Sequence, residues 1–325
     1  MPFRRTRWRW PLAAYAIALV ASSVIRDAAP APAIPAGVQV ITLNAVSGRG
    51  RSPQPVRLAY REYRGPSERT PVLLLHGSPG SGTMFDGLAP LLAQHRTVLV
   101  PDLPGFGFSS AKIPDYSLLA HAHYVHDLLE ARGLDRVHVV GFSMGGGVAL
   151  SLADLDPNRL ESLTMVSAIG MQEMELLGEY HINHAIHGLQ LAGVWALSHA
   201  VPHTGGLDAT LSYARNFFDS DQRPLERALR GIQAPTLFVH GRVDPLVAVE
   251  AAIEHARLVP QSELHIIDDD HFMVWEHPGR IAGPVNAFLS RVTIARRDHV
   301  SRRIRSACRC HSDRSIRAWY HVHMQ

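Results

Sequence analysis

The residues with the clearest potential for chemistry lie around Ser143, in the sequence Gly-Phe-Ser-Met-Gly at 141–145. Glycine two positions away on each side allows a very tight turn, because a side chain at either place would block it. Such a turn pushes the serine hydroxyl out of the fold, where it can attack a carbonyl carbon. The spacing therefore indicates a nucleophilic serine, with a flexible Gly-Ser loop as the plain alternative.

The elements that must position Ser143 are visible on both sides of it. Residues 137–140, Val-His-Val-Val, are typical of a buried strand, and residues 148–153, Val-Ala-Leu-Ser-Leu-Ala, favour a helix. The helix directs its positive end at the turn, where an oxyanion would form. Strand, turn and helix together favour the nucleophile over the flexible loop.

Three further elements are predicted before Ser143. The runs at 38–43 and 56–63 predict a hairpin with Gly48 and Gly50 in its turn. One helix is expected from about Thr83 to Ala93, and another from about Ser117, which can cap it, to Arg132, with Gly133 at its end.

A second glycine-rich loop follows the apolar run at 72–75, which is typical of a central parallel strand. The loop at 76–82, His-Gly-Ser-Pro-Gly-Ser-Gly, lacks the spacing and the lysine of a phosphate-binding loop. We therefore expect the backbone N–H of Ser78 to point into an active site. His76 and Asp102 are interpreted as structural, with His76 hydrogen-bonded and Asp102 bonded to the backbone of its own turn.

Three motifs in this order resemble the α/β-hydrolase superfamily: His-Gly-Ser-Pro-Gly at 76–80, Asp-Leu-Pro-Gly-Phe-Gly-Phe-Ser at 102–109 and Gly-Phe-Ser-Met-Gly-Gly at 141–146. The resemblance covers about residues 38–290. It implies an α/β fold with a mostly parallel eight-stranded sheet, flanking helices and an inserted helical lid. It also implies an oxyanion hole formed by the backbone N–H groups of Met144 and Ser78.

The resemblance further implies that the serine is followed along the chain by an acid and then by a histidine. The predicted strand at 163–166 ends in Ser-Ala-Ile-Gly and offers no acid. The predicted strand at 235–239 leads to Asp244, at the sheet edge where α/β proteins keep their sites. The last predicted strand, 263–267, leads to His271. Ser143, Asp244 and His271 are the predicted triad; Asp268, Asp269 and Asp270 are interpreted as turn and solvent residues.

The segment at 171–230 interrupts the alternation of strands and helices. Its apolar residues predict two or three amphipathic helices, which the resemblance identifies as a lid over the pocket. An apolar lid suits a small apolar or acyl-type substrate. His181, His184 and His187 are spaced by three within it, and we interpret them as packing or solvated side chains rather than metal ligands.

The two ends of the chain differ in charge from the middle. Residues 1–37 contain five arginines and one aspartate, and residues 291–325 contain nine arginines and two aspartates. The body, residues 38–290, has 18 basic and 26 acidic side chains, a net charge of −8. An acidic body argues against nucleic acid as a partner.

The arginine-rich start is followed by an apolar run at 11–25, which predicts a secretory signal or membrane anchor, with a Pro/Ala linker up to residue 37. Arginines before the run place the catalytic body on the non-cytoplasmic side, exported or in contact with a membrane through this segment. Residues 291–325 are expected to be a disordered tail, where Cys308, Cys310 and His311 are too few to form a zinc site.

The sequence thus predicts a serine hydrolase that cleaves an ester or related carbonyl substrate through an acyl-enzyme, without a metal or organic cofactor. Two alternatives stay open. One keeps the triad for carbon–carbon bond hydrolysis or peracid formation, and the other is a non-catalytic, membrane-tethered binding module. Epoxide hydrolases and haloalkane dehalogenases share the His-Gly-x-Pro pattern but need a carboxylate nucleophile, whereas position 143 is serine.

Overall fold

The computed structural model describes residues 9–28, 33–45, 54–175, 177–200 and 207–295. Its strands are β1 (Val38–Ala45), β2 (Gln54–Tyr63), β3 (Val72–Leu75), β4 (Val98–Pro101), β5 (Val137–Phe142), β6 (Leu160–Val166), β7 (Thr236–Gly241) and β8 (Glu263–Ile267). They form one eight-stranded sheet in the order β1-β2-β4-β3-β5-β6-β7-β8. The predicted turn of the first hairpin, with Gly48 and Gly50, lies outside the described residues.

The sheet is antiparallel only at one edge. β1 pairs antiparallel with β2, and β2 with β4, while the pairs from β4 to β8 are parallel. The chain runs from β3 outward to β4 on one side and returns to β5 on the other. This reversal opens a crevice at the carboxyl ends of β3 and β5, which is where α/β sheets bind their ligands.

Ten helices lie around the sheet in the described part of the chain. They are α1 (Arg9–Ala28), α2 (Leu88–Ala93), α3 (Leu118–Ala131), α4 (Met144–Leu155), α5 (Tyr180–Ala200), α6 (Leu207–Asp219), α7 (Arg223–Gly231), α8 (Val249–Leu258), α9 (Met273–Glu276) and α10 (278–295). The predicted helix from Thr83 to Ala93 is wrong in its first half. Residues Gly82–Phe85 form a short 3₁₀ turn, and α2 starts only after Gly87.

The two faces of the sheet carry separate apolar cores. Along β3, Leu73 and Leu75 pack into a core with α3 and α4, whereas Val72 and Leu74 pack into a core with α2 and α10. Alternation of side chains along a strand produces this division. Because both faces are covered, all four residues of β3 are fully buried.

Three helices, α5, α6 and α7, fill the interruption between β6 and β7. α5 and α6 pack against each other, whereas α7 packs against α4 of the body. The predicted helical insertion at 171–230 is therefore present as helices, but only α5 and α6 form a separate layer. α10 begins at Pro278 and continues to residue 295, five residues beyond the predicted end of the body.

The apolar run near the start of the chain forms α1, which contacts α5. No helix in the described ranges is both long and apolar enough to cross a lipid bilayer. The predicted membrane anchor is thus unsupported, and the predicted export signal stays a prediction. The predicted tail beyond residue 295 lies outside the described residues.

His121, on α3, is an exception to the rule that buried polar groups are paired. The side chain is fully buried between Phe106 and Tyr124, and neither ring nitrogen has a hydrogen-bond partner among the residues that the structure describes. Burial, with a smaller contribution from His76, lowers the pKa of His121 from 6.5 to about 3. His121 therefore binds a proton near pH 6.5 in the unfolded chain, whereas in the folded protein it stays neutral until about pH 3.

A fold that excludes this proton loses stability as the pH falls below about 6.5. We expect His121 to account for about 2 kcal/mol of lost unfolding free energy at pH 5. In His121→Leu, the loss between pH 7 and pH 5, measured by urea denaturation, should be smaller by that amount. His123→Leu, at a partly exposed site of the same helix, should keep the wild-type loss. An unchanged pH dependence in His121→Leu would contradict this interpretation.

Candidate active site

Ser143 stands alone between the end of β5 and the start of α4. Its backbone has φ 52° and ψ −120°, a left-handed conformation that L-residues rarely adopt. The conformation is held by the Ser143 N–H, which donates to the carbonyl of Val166 at 3.0 Å, and by the Ser143 carbonyl, which accepts from Gly146 at 3.0 Å and Ile169 at 3.2 Å. A strained residue fixed from both sides is typical of a functional site.

The glycines around Ser143 are required by close backbone approach. A methyl group on Gly145 would collide with the carbonyl of Leu75 at the end of β3, and one on Gly141 with the carbonyl of Gly145. A methyl group on Gly77 would lie 3.0 Å from the Cβ of Ser143. The loop after β3 and the start of α4 therefore touch beside the serine.

Both predicted oxyanion donors lie at this contact. Ser78 follows Gly77 in the loop after β3, and Met144 is the first residue of α4. Within the described part of the chain, the N–H groups of Ser78 and Met144 donate to no other atom. Unused N–H groups at a helix start are suited to receive a negatively charged oxygen.

His76 and Asp102 hold this loop in place, as their structural interpretation predicts. The N–H of Leu103 donates to His76 Nε2 at 2.9 Å, so the proton of the neutral ring is on Nδ1 and points to the carbonyl of Gly77, 2.7 Å away. Burial lowers the pKa of His76 and keeps the ring neutral. Asp102 accepts from the N–H groups of Gly82 and Phe108 at 2.8 and 2.9 Å.

The structure brings the predicted acid and the predicted base together. His271 Nδ1 lies 2.7 Å from Asp244 Oδ2, across 27 residues of sequence. The other oxygen, Oδ1, accepts the N–H groups of Leu246 and Val247, both at 2.8 Å. Both side chains are buried, at 0% exposure for Asp244 and 5% for His271. The carboxylate therefore fixes the orientation of the imidazole and directs its Nε2 away from Asp244.

The charge of Asp244 is stabilised despite its burial. Burial alone would raise the pKa of this carboxyl, but the hydrogen bond from His271 and the amide N–H groups of Val247 and Leu246 outweigh it. The pKa is held below its ordinary value, so Asp244 is ionised at neutral pH. An ionised Asp244 is a suitable partner for a histidine that gains a proton.

His271 lies near the serine because its ring packs against that of Phe142. The centroid of its ring lies 4.9 Å from that of Phe142, the residue just before Ser143. No hydrogen bond joins Ser143 Oγ to His271 in the described part of the chain. Long nucleophile–base distances are common in sites without substrate. A hydroxyl, a base with an ionised acid and two free N–H groups together form a set that can carry out acyl transfer.

The three aspartates before His271 do not face its ring, as predicted, but one of them is more buried than expected. Asp268 is 84% exposed and pairs with Arg242. Asp270 accepts the N–H of Phe272 at 2.8 Å. The side chain of Asp269 is only 7% exposed, because its carboxylate pairs with His277 at 2.9 Å and with Arg280. The prediction of a solvent residue is wrong there, since the carboxylate ties the histidine loop to α10.

Two side chains that touch the site were missed by sequence reasoning. Phe142 occupies the variable position of the serine motif, which its spacing does not restrict. His240 is the fifth of the six residues of β7, and its Nε2 lies 3.5 Å from Asp244 Oδ2. A polar residue in the otherwise apolar run Thr-Leu-Phe-Val-His-Gly was the available signal for His240.

The histidines of α5 do not gather around one point. His184 stacks between Tyr180 and Phe218, with centroids 5.3 and 4.4 Å away. His187 binds Glu175 through Nε2 at 3.0 Å. Among the described residues, no group of three or more His, Cys, Asp or Glu side chains is arranged to hold a metal ion.

The chain resembles proteins named as hydrolases or esterases in sequence and in fold. A family model described as alpha/beta hydrolase fold matches residues 70–199. An uncharacterized protein of Mycobacterium tuberculosis is 26% identical over 279 residues, covering 75% of this chain and 82% of that protein. The 2-hydroxy-6-oxo-6-(2'-aminophenyl)hexa-2,4-dienoic acid hydrolase of Metapseudomonas resinovorans is 27% identical over 246 residues, covering 68% of this chain and 84% of that enzyme.

The fold of the chain is shared with a solved structure. The thermophilic esterase of Thermogutta terrifontis superposes with a TM-score of 0.62 and 23% identity, covering 78% of this chain and 99% of the esterase. The protein thus has the α/β-hydrolase fold, with an eight-stranded, mostly parallel sheet flanked by helices. The proteins that it resembles in sequence and in structure include one named as a hydrolase and one named as an esterase.

The close approach at Gly145 yields a test of the turn. In Gly145→Ala, the added methyl group meets backbone oxygen, which cannot move aside as a side chain can. We expect the free energy of unfolding to fall by about 1–3 kcal/mol, measured by urea denaturation. The matched control is Gly283→Ala in α10, where no described residue outside the local helix backbone lies within 4 Å of the added methyl group. It should gain up to about 1 kcal/mol. Equal stability of Gly145→Ala and wild type would contradict the close contact.

Proposed function

We propose that the protein is a serine hydrolase of the α/β-hydrolase superfamily that cleaves an ester or related carbonyl substrate through an acyl-enzyme. The observation that carries this proposal is the 2.7 Å hydrogen bond between His271 and a buried, ionised Asp244, on loops at the sheet edge where Ser143 occupies its strained turn. A binding module would gain nothing from this arrangement.

The proposed reaction uses the groups of the site in turn. His271 Nε2 takes the proton of Ser143 as its Oγ attacks the carbonyl carbon, and the resulting oxyanion accepts the N–H groups of Met144 and Ser78. His271 then gives the proton to the leaving group. Water activated by the same histidine releases the acid product and restores the serine. Asp244 orients the ring and stabilises its positive charge throughout.

Carbon–carbon bond hydrolysis is the second candidate, because a specific observation favours it. Several relatives are named as hydrolases of 2-hydroxy-6-oxo dienoates or of 2-hydroxymuconate semialdehyde, at 25–28% identity. Such substrates also present a carbonyl carbon, so the same serine, histidine and N–H groups would serve. The groups described so far serve both substrate classes, and turnover of each class separates them.

The proposal assigns the pocket to the space between the sheet edge and the helices α5 and α6. Several apolar side chains of this layer remain exposed, among them Ile182, Leu189 and Trp195. In this proposal the layer covers Ser143, and an apolar cover favours a small apolar or acyl-type substrate over a highly charged one. In this proposal α5 and α6 act as the lid that the sequence predicts.

A fluorophosphonate probe tests the nucleophile directly, because it reacts only with a serine whose hydroxyl is activated. We expect labelling of Ser143 in the full chain and its loss in Ser143→Ala and His271→Ala. Asp244→Asn should label more slowly by on the order of a thousandfold, since the ring loses its orienting charge. Asp268→Asn, an exposed acid three residues before His271, is the matched control and should label like wild type. A folded wild type that does not label, or an Asp244→Asn variant that labels normally, would refute the mechanism.

The two substrate classes are separated by turnover. Wild type should hydrolyse short-chain p-nitrophenyl esters, with release of p-nitrophenol that Ser143→Ala abolishes. A 2-hydroxy-6-oxo dienoate, followed by the loss of its absorbance, tests the second candidate on the same preparation. A kcat/KM for the dienoate that exceeds the ester value by a hundredfold would reverse the assignment.

A further inference from the structure

His240 lies beside the proposed acid, and its ring approaches the same carboxylate oxygen that His271 binds. It is the fifth residue of β7, and only 1% of its side chain is exposed. Its Nε2 is 2.9 Å from the carbonyl oxygen of Val247 and 3.5 Å from Asp244 Oδ2. Both neighbours are acceptors only, so Nε2 must carry the hydrogen. The geometry thus fixes the tautomer of His240.

The contact with Val247 closes a small ring of hydrogen bonds around Asp244. Asp244 Oδ1 accepts the N–H groups of Leu246 and Val247, which fold the loop back over the carboxylate. The Val247 carbonyl points the other way and receives His240. Val247 therefore binds the acid through its N–H and anchors the loop to β7 through its carbonyl.

Because the loop is anchored, Asp244 Oδ2 is directed toward His271. With Oδ1 saturated by two N–H groups, Oδ2 faces His271 at 2.7 Å, and His240 approaches the same oxygen only at 3.5 Å. The short bond belongs to His271 and the long contact to His240. His240 thus limits movement of the carboxylate without competing for its hydrogen-bonding oxygen.

A neutral His240 is required for this arrangement. A positive charge 3.5 Å from Asp244 would share the carboxylate with His271. Burial lowers the pKa of His240, against the opposing effects of the Val247 carbonyl and the charge of Asp244. The other titratable groups that act on His240 are His271, Glu250 and His255. Burial also lowers the pKa of His255, to about 4, so it adds no positive charge at neutral pH.

We propose that His240 is a positioning residue of the active site, which fixes the loop of Asp244 through the Val247 carbonyl and so holds the carboxylate on His271. The inference rests on the proposed function, because it assigns a role within the same triad. It adds a fourth side chain that touches neither substrate nor nucleophile.

Three substitutions separate this role from simple packing. His240→Gln keeps an N–H donor near the position of Nε2, His240→Leu removes the donor at similar volume, and His240→Asn is polar but too short to reach Val247. We expect the Leu and Asn variants to lose at least about tenfold in kcat/KM for a p-nitrophenyl ester, because a loosened acid misplaces the base. The Gln variant should recover most of the wild-type value. His265→Leu, an exposed histidine of β8, is the control for histidine loss.

The pH profile supplies a readout that packing alone does not move. When Asp244 is held less closely, the protonated form of His271 loses stabilisation, and the acid limb of kcat/KM should move to lower pH in the Leu and Asn variants. It should stay in place in the Gln variant. Thermal unfolding identifies any variant that does not fold. The Leu and Asn variants both remove the hydrogen bond to the Val247 carbonyl, so one folded variant of the two suffices.

A measurement without substrate keeps this proposal separate from the proposed function. We expect the Nδ1–H proton of His271, hydrogen-bonded to Asp244, to give a far-downfield NMR signal in the full-length protein. The signal should be retained in the Gln variant and lost or shifted in the Leu and Asn variants, even if wild type hydrolyses nothing. Unchanged signals and unchanged acid limbs in Leu and Asn, or a Gln variant as impaired as Leu, would overturn the role of His240.

Discussion

The contact between the start of α4 and the end of β3 is the constraint on which the site depends. Glycine at 145 lets the first turn of the helix touch the carbonyl of Leu75, and glycine at 141 lets the strand turn back on itself. Because both approaches are made by backbone, no rearrangement of side chains can substitute for them. The serine between them is therefore forced to φ 52°, and its hydroxyl and the N–H of Met144 come to lie at the same edge of the sheet as Ser78.

Burial of the central strands offsets the free-energy cost of the strained backbone at Ser143. β3 and β5 are covered on both faces, and their alternating side chains join two independent apolar cores. Burial of this extent stabilises the fold by far more than one strained residue costs, which is of the order of 1–3 kcal/mol. The strands also fix where each loop begins. Loops that carry Ser78, Ser143, Asp244 and His271 all leave the carboxyl ends of parallel strands, so the sheet sets their mutual distance before any of them makes a contact.

Several strands and helix ends could be predicted from the sequence, each for its own physical reason. Continuous apolar runs predict β3 and β5 because parallel strands are buried on both sides, and Ser117 and Gly133 predict the ends of α3 because they cap it. The helix expected from Thr83 is broken because Gly87 and a local 3₁₀ turn override its propensity. The burial of Asp269 could not be predicted, because it depends on His277 and on Arg280 of α10, and no local pattern encodes how that helix approaches the loop. The role of position 240 depends in the same way on a carbonyl seven residues later, across a loop whose shape is set by Asp244.

Two of the buried aspartates at the sheet edge, Asp102 and Asp244, show why one is structural and the other is suited to catalysis. Asp102 binds two backbone N–H groups, one on each oxygen, and the guanidinium of Arg61, which is charged at every pH of interest. Its oxygens are thus occupied by donors that do not change. Asp244 also binds two backbone N–H groups, but both use Oδ1, and Oδ2 is left to His271. An imidazole can gain and lose a proton near neutral pH, whereas an arginine cannot. A fixed negative charge facing a partner of variable charge is the condition for assisting proton transfer, and of these two aspartates only Asp244 meets it.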